Sequence, residues 1–260
     1  MTCSEIISLL QEQSPEEFAC DWDNVGLLVG DFRQEVRSIY IAVDATEETI
    51  SEAVQEKADL LLTHHPLIFK GLKKVNMEDF TGKRIIQLIQ NHISCYAMHT
   101  NFDVKGMAEL AAELMSLTDC QVLEETCKSE EGPEGIGRIG FLPEEVSLSA
   151  CISRVKQAFT VNTVKVFGTM DQKVQKVALC PGSGKSVIGH ALRAGAQVLV
   201  TGDIDHHEGI DAAAQGLAVI DAGHYGVEKL FIPYMAQYLE EKTKGIKIVG
   251  QPVKQPFLFV

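Results

Sequence analysis

Histidines paired with carboxylates carry most of the chemistry in this chain. Six of its eight histidines follow or lie close to short apolar runs that read as buried strands. Thr63-His64-His65-Pro66 closes one run, and His99-Thr100-Asn101-Phe102-Asp103 a second. Thr201-Gly202-Asp203-Ile204-Asp205-His206-His207 closes a third, and Asp221-Ala222-Gly223-His224 with Glu228 a fourth. Imidazole and carboxylate are the preferred ligands of zinc, iron, manganese and nickel, among which the sequence does not choose. Side chains alternate along a strand, so His64 and His65 point apart unless the chain turns; Pro66 stiffens such a turn, and the two rings can then serve two neighbouring metals. His224 and Glu228 are four apart at a helix start and share a face. Asp103 sits where a loop enters the next helix, with Gly106 easing the turn. Three histidines and two carboxylates exceed the needs of one tetrahedral zinc and suit a two-metal centre able to polarise a substrate and activate water. His92 and His190 read as hydrogen-bonded surface residues.

The elements that must position these residues repeat. Shifted by 138 positions, residues 39–63 fall on 177–201 without a gap, apolar on apolar. Each copy reads strand, helix, strand, and continues with a helix, a strand (Cys95 to Met98; Ala218 to Ile220) and a helix (Met107 to Met115; Val227 to Lys242). Such βαβ runs form mostly parallel sheets, whose sites gather at the carboxyl ends of strands. The expectation is an α/β fold of two related three-layer α/β/α lobes, residues 1–126 and 127–260. The charged, Pro/Gly-containing stretch Glu124 to Gly137 is expected to be the connecting loop. Cys3 to Gln13 reads as an amphipathic helix, and Ile246 to Val249 and Phe257 to Val260 as strands.

Composition narrows the function. The 260 residues are 45 % hydrophobic and 23 % charged, the mix of a folded globular protein. The formal net charge of −13 repels phosphate backbones and disfavours nucleic acid as partner. The densest basic stretch, Lys70 to Lys74, holds only three lysines. No apolar run approaches the ~20 residues of a membrane span, and no signal peptide is visible. Seven scattered cysteines without a CxxC suit reduced thiols and a cytoplasmic location. Pro181-Gly182-Ser183-Gly184-Lys185-Ser186 ends like a phosphate-binding loop, but its first required glycine is Leu179, so a turn opening a helix is the better reading. Trp22, the single tryptophan, suits either packing or the lining of a cavity.

Together with Trp22-Asp23-Asn24-Val25-Gly26-Leu27, the four strand-end motifs resemble the GTP cyclohydrolase 1 type 2 homologues, or NIF-three-like proteins, over nearly the whole chain. The resemblance implies a dinuclear metal site in the cleft between the lobes and a ring-shaped homohexamer. Its ligands carry over onto His64, His65, Asp103, His224 and Glu228, with Glu228 bridging. His99, His206 and His207 match positions near the metals and become candidates for substrate contact or proton transfer. Longer members carry a further domain between the lobes, for which the Glu124 to Gly137 join is too short. The implied activity is metal-dependent hydrolysis of a small molecule, opening GTP at its imidazole ring with release of formate. A metal-dependent phosphoesterase, or a non-catalytic metal-binding or regulatory protein, are the alternatives.

Overall fold

The computed structural model describes residues 1–130 and 132–258. The chain runs through Cys3–Gln13 (α1), Gly26–Val29 (β1), Ser38–Ala42 (β2), Glu47–Gln55 (α2), Leu60–Thr63 (β3), Phe80–Gln90 (α3), Ser94–Ala97 (β4) and the short Thr100–Phe102 (α4). A kinked turn, Asp103–Met107, leads into Ala108–Leu114 (α5), Thr118–Ser129 (β5), Gly132–Ser147 (β6), Leu148–Ala158 (α6) and Lys165–Phe167 (β7). Then follow Lys173–Ser183 (β8), Ile188–Arg193 (α7), Val198–Gly202 (β9), His206–Ala214 (α8), Ala218–Asp221 (β10), His224–Glu228 (α9), Phe231–Lys242 (α10) and Lys247–Gly250 (β11). Helix starts follow local chemistry. Thr2 and Glu5 close a reciprocal capping box on α1, and Thr46 and Ser147 accept backbone N–H bonds at the starts of α2 and α6.

Residues Met1–Phe102 and Phe231–Lys254 form one compact unit; Asp103–Leu230, with the tail beginning at Gln255, forms the other. Among the described residues the first unit holds a sheet of order β1-β4-β3-β2-β11, parallel except for β1. The second holds β5-β6-β8-β9-β10-β7, with β8, β9 and β10 parallel and the rest antiparallel. The repeat is preserved down to its register. Ile39 pairs with Leu60 and Ala42 with Thr63 in one copy; Val177 pairs with Val198 and Cys180 with Thr201 in the other.

Both faces of the parallel strands are buried. In the first unit Tyr40, Ala42, Leu61 and Cys95 pack against Ile50 and Ala53 of α2 and Ile85 and Leu88 of α3. Ile39, Ile41, Leu60 and Leu62 point the other way and are equally buried. In the second unit Val177, Leu179, Val198 and Val200 meet Leu148, Cys151 and Val155 of α6, while Ala178, Cys180 and Leu199 meet Ala191 of α7 and Ala212 of α8. Strands covered on both faces read as unbroken apolar runs, which is why they stand out in the sequence.

Three expectations need correction. The stretch Glu124 to Gly137 is not a loop: Glu124 pairs with Ile136 and Glu125 with Gly135 across the β5–β6 hairpin. Its glycine serves close packing, because the carbonyl of Glu124 leaves no room for a Cβ at Gly135. The helix expected over Val227 to Lys242 breaks into α9 and α10. Pro233 lacks the N–H that would bond the carbonyl of Lys229, and it sits in the first turn of α10, where none is needed. Phe257 and Leu258 lie in no strand, and residues 259 and 260 lie outside the described residues. The packing units also divide the chain differently from the 1–126 and 127–260 lobes. Residues 103–126 pack in the second unit and 231–254 in the first.

Candidate functional site

In the first unit, His64 and His65 follow the end of β3. Their backbone turn is held by His64 N–H donating to the Ala42 carbonyl (3.2 Å), His65 N–H to Val43 (2.9 Å) and Thr63 Oγ1 to the His65 carbonyl (2.9 Å). The His64 ring is buried, with Nδ1 2.7 Å from the Met98 carbonyl. His65 Nδ1 lies 2.8 Å from Asp44 Oδ1, and His99 Nδ1, beyond β4, 2.9 Å from Asp23 Oδ1. A carbonyl or carboxylate only accepts, so Nδ1 carries the hydrogen in each ring and Nε2 is the atom that could meet a metal. One ring nitrogen from each of His64, His65 and His99 lies within 4.8 Å of the others. This is how metal-binding histidines are oriented, by an acceptor behind the ring.

Asp23 is held harder than its neighbours. Burial pushes its pKa up, but hydrogen bonds from His99 and Thr100 and the charge of His99 outweigh that and hold it at about 2, against an ordinary 3.8. A carboxyl depressed in the folded state stabilises the fold above its unfolded pKa and loses that contribution as pH falls through the folded value. Asp23 therefore contributes about 2 kcal/mol that disappears between pH 4 and pH 2. In urea titrations across that range Asp23→Asn should show a shallower acid dependence; an unchanged slope would remove the assignment.

The second unit repeats the arrangement at the ends of β9 and β10. His224 Nδ1 lies 2.7 Å from Asp203 Oδ2, and its Nε2 lies 3.0 Å from Glu228 Oε2, four residues on. Asp203 sits in the left-handed region (φ 50°), where aspartate is better tolerated than most residues, and this conformation presents its carboxylate to the ring. Glu228 is 2 % exposed. Gly182, at the end of β8 with φ +70°, gives it room, since a Cβ there would collide with Glu228 Oε1. Asp103 stands on the kinked turn. Its neighbour Val104 offers its carbonyl to Arg138 Nη2 (2.9 Å), and Gly106 N–H donates to Glu109 (2.9 Å). Burial, reinforced by the charges of Asp103, Glu124 and Glu228, pushes the Cys180 thiol well above its usual range, so this sulfur packs as an inert side chain.

The first unit thus gathers His64, His65 and His99, and the second pairs His224 with Glu228. His206 and His207 are exposed at the start of α8, their rings edge to face with one another (5.2 Å). Lys185, of the glycine-rich turn, pairs with Glu208 and with Asp205 (3.6 Å), and Gly184 N–H points to the Gly202 carbonyl, so the turn is spent on internal contacts. Asp44 and the supporting roles of Asp23 and Asp203 escape the sequence reading. The one signal for Asp44 is its place just past β2, at a strand end like the histidines. Removing Asp203 or Asp44 as alanine should weaken metal binding about 10- to 100-fold with the fold intact, as read by chelator competition.

These strand-end sets of imidazole and carboxylate belong to a mixed α/β protein and include groups that could hold a metal ion. Residues 1–256 match the family Duf34/NIF3 (NGG1p interacting factor 3), and the chain belongs to it. It is 32 % identical over 264 residues to a protein of Clostridium perfringens named GTP cyclohydrolase 1 type 2 homolog, covering all of both chains. A Streptomyces coelicolor protein of the same name is 35 % identical, over 92 % of this chain and 85 % of its own. Among solved structures, a Bacillus cereus protein related to NIF3 superposes with a TM-score of 0.92 at 29 % identity, over 100 % of this chain and 99 % of its own. Among the described residues no helix is long and apolar enough to cross a membrane.

Proposed function

We propose that this protein is a metal-dependent hydrolase that holds two divalent cations with His64, His65, Asp103, His224 and Glu228 and acts on a small molecule of nucleotide type. The observation that carries the reading is the pair His224–Glu228. With the hydrogen on Nδ1, facing Asp203, the Nε2 lone pair meets a buried carboxylate oxygen at 3.0 Å. Two acceptors at that distance repel; a proton on Nε2 or a cation beside the two atoms removes the conflict, and the surrounding imidazole and carboxylate groups suit the cation. The donor set fits zinc, iron, manganese or nickel. Metals so bound polarise a substrate and lower the pKa of water.

The remaining residues serve that chemistry. Asp44 and Asp203 fix the rings of His65 and His224. His99, backed by the ionised Asp23, can take a proton at Nε2 while Asp23 stabilises the imidazolium that results. His206 and His207, exposed on α8, are the second candidates for proton transfer. The relatives' names make opening of the GTP imidazole ring, with release of formate, the reaction to test.

The experiment measures metal per chain by elemental analysis, then follows formate from GTP. Two metals and formate support the reading. Two metals without formate retain the site, remove GTP and direct the search to phosphoesters and metal transfer. Absence of metal after reconstitution overturns the proposal. The homohexamer implied by the family resemblance is read in the same preparation by light scattering.

A further inference from the structure

Trp22 and Phe69 are large, apolar and 61 % and 47 % exposed, yet the residues on both sides of the first are tied down by hydrogen bonds. Cys20 N–H donates to Thr100 Oγ1 (2.9 Å), and Asp23 N–H closes a turn on the Cys20 carbonyl (2.9 Å). Asp23 is anchored by His99 and Thr100, and Asn24 Nδ2 donates to the Ile68 carbonyl (2.5 Å), tying the Trp22 loop to the residue before Phe69. The two rings stack on each other, centroids 6.0 Å apart at 28°, and both meet the His99 ring edge to face, at 5.9 and 5.8 Å. His99 in turn lies 5.3 and 5.4 Å from the rings of His64 and His65. A lone exposed tryptophan needs no explanation, but one stacked on a second exposed ring and set against the histidine cluster does. Packing alone would have buried it.

We infer that Trp22 and Phe69 form a stacking platform for a planar heteroaromatic ring of the substrate, placing that ring next to His99. This deepens the hydrolase reading and rests on it for the chemistry, though not for binding. The platform offers π surface without hydrogen-bond readout, so it selects for a ring rather than for one base. Phe69 opens the stretch Lys70 to Lys74, whose exposed lysines suit an anionic tail on that ring within an acidic chain.

Trp22 is the single tryptophan, so its emission reports on the platform directly. Metal-loaded and metal-free protein would be titrated with GTP, guanosine and inorganic tripolyphosphate. GTP should quench saturably in both forms, guanosine should quench with weaker affinity, and tripolyphosphate should not quench. Phe69→Ala should weaken GTP binding about fivefold or more, and Phe69→Tyr should restore it. Unmoved emission with GTP, equal quenching by tripolyphosphate, or emission that follows protein concentration instead of ligand (an interface between copies) would each overturn the platform. Quenching without formate removes GTP ring opening alone, and formate without quenching removes the platform alone.

Discussion

Glu228→Gln is expected to abolish the proposed hydrolysis while leaving the fold unchanged. The side chain is buried at the end of α9, 3.0 Å from His224 Nε2 at its start. Glutamine has the same shape, so Gly182 still accommodates it and no cavity opens. What changes is the charge and one donor atom. An amide N–H can bond the His224 lone pair directly, which satisfies the pair without a cation. Loss of affinity should exceed the roughly 10- to 100-fold that removal of an outer partner such as Asp203 costs. Elemental analysis and thermal melting of the variant beside the parent check this. A variant that keeps both metals and loses activity would move Glu228 from ligand to proton carrier. A variant that keeps both metals and activity would remove it from the site.

Arg138→Ala is expected to give the largest loss of stability. The guanidinium is buried and donates to the carbonyls of Gly135 (2.9 Å), Gly137 (2.8 Å) and Val104 (2.9 Å), and it pairs with Glu109. Burial alone lowers its pKa to about 10, still far above neutrality, so it stays charged. Truncation strands three carbonyls and a carboxylate. Breaking a buried pair costs about 3–5 kcal/mol, and the half-exposed Glu109 regains water, which favours the lower end of that range. A loss of about 3 kcal/mol corresponds to a fall in Tm of about 6–12 °C. Arg138→Lys should recover only part, since one ammonium cannot span the carbonyls that the planar fork reaches. Because Val104 and Gly106 hang from this network, any metal held through the proposed ligand Asp103 should be retained less well in parallel. A melt within 1 °C of the parent, about a third of a kcal/mol, would show that water replaces these bonds at no cost.

Much of this molecule is legible in one dimension. Buried parallel strands are continuous apolar runs, so Ile39 to Ala42, Leu60 to Leu62 and Val198 to Val200 declare themselves, and the repeat of 138 positions anticipates even their pairing register. Strand ends in such sheets collect functional groups, so His64, His65, His99 and His224 are conspicuous by position. The i, i+4 spacing of His224 and Glu228 fixes a shared helical face.

The remainder depended on contacts distant in sequence. Glu124 to Gly137 carries turn-forming residues, yet Glu124 to Ser129 and Gly132 to Gly137 lie in strands, because pairing across the β5–β6 hairpin and the close approach at Gly135 outweigh local preference. Residues 231–254 follow the second repeat in the chain and pack with the first unit, where Lys247 to Gly250 add a parallel strand beside β2. Local periodicity specifies that such a strand exists and is silent about its neighbour. The same holds for the partners behind the rings. His65 with Asp44, His99 with Asp23 and His224 with Asp203 are separated by 21, 76 and 21 residues. Residue types and short spacings, which act through local backbone geometry, were determined by the sequence alone. The hydrogen bonds that choose each tautomer and aim each Nε2 arise only once the sheets bring distant strand ends together, and those the tertiary structure decided.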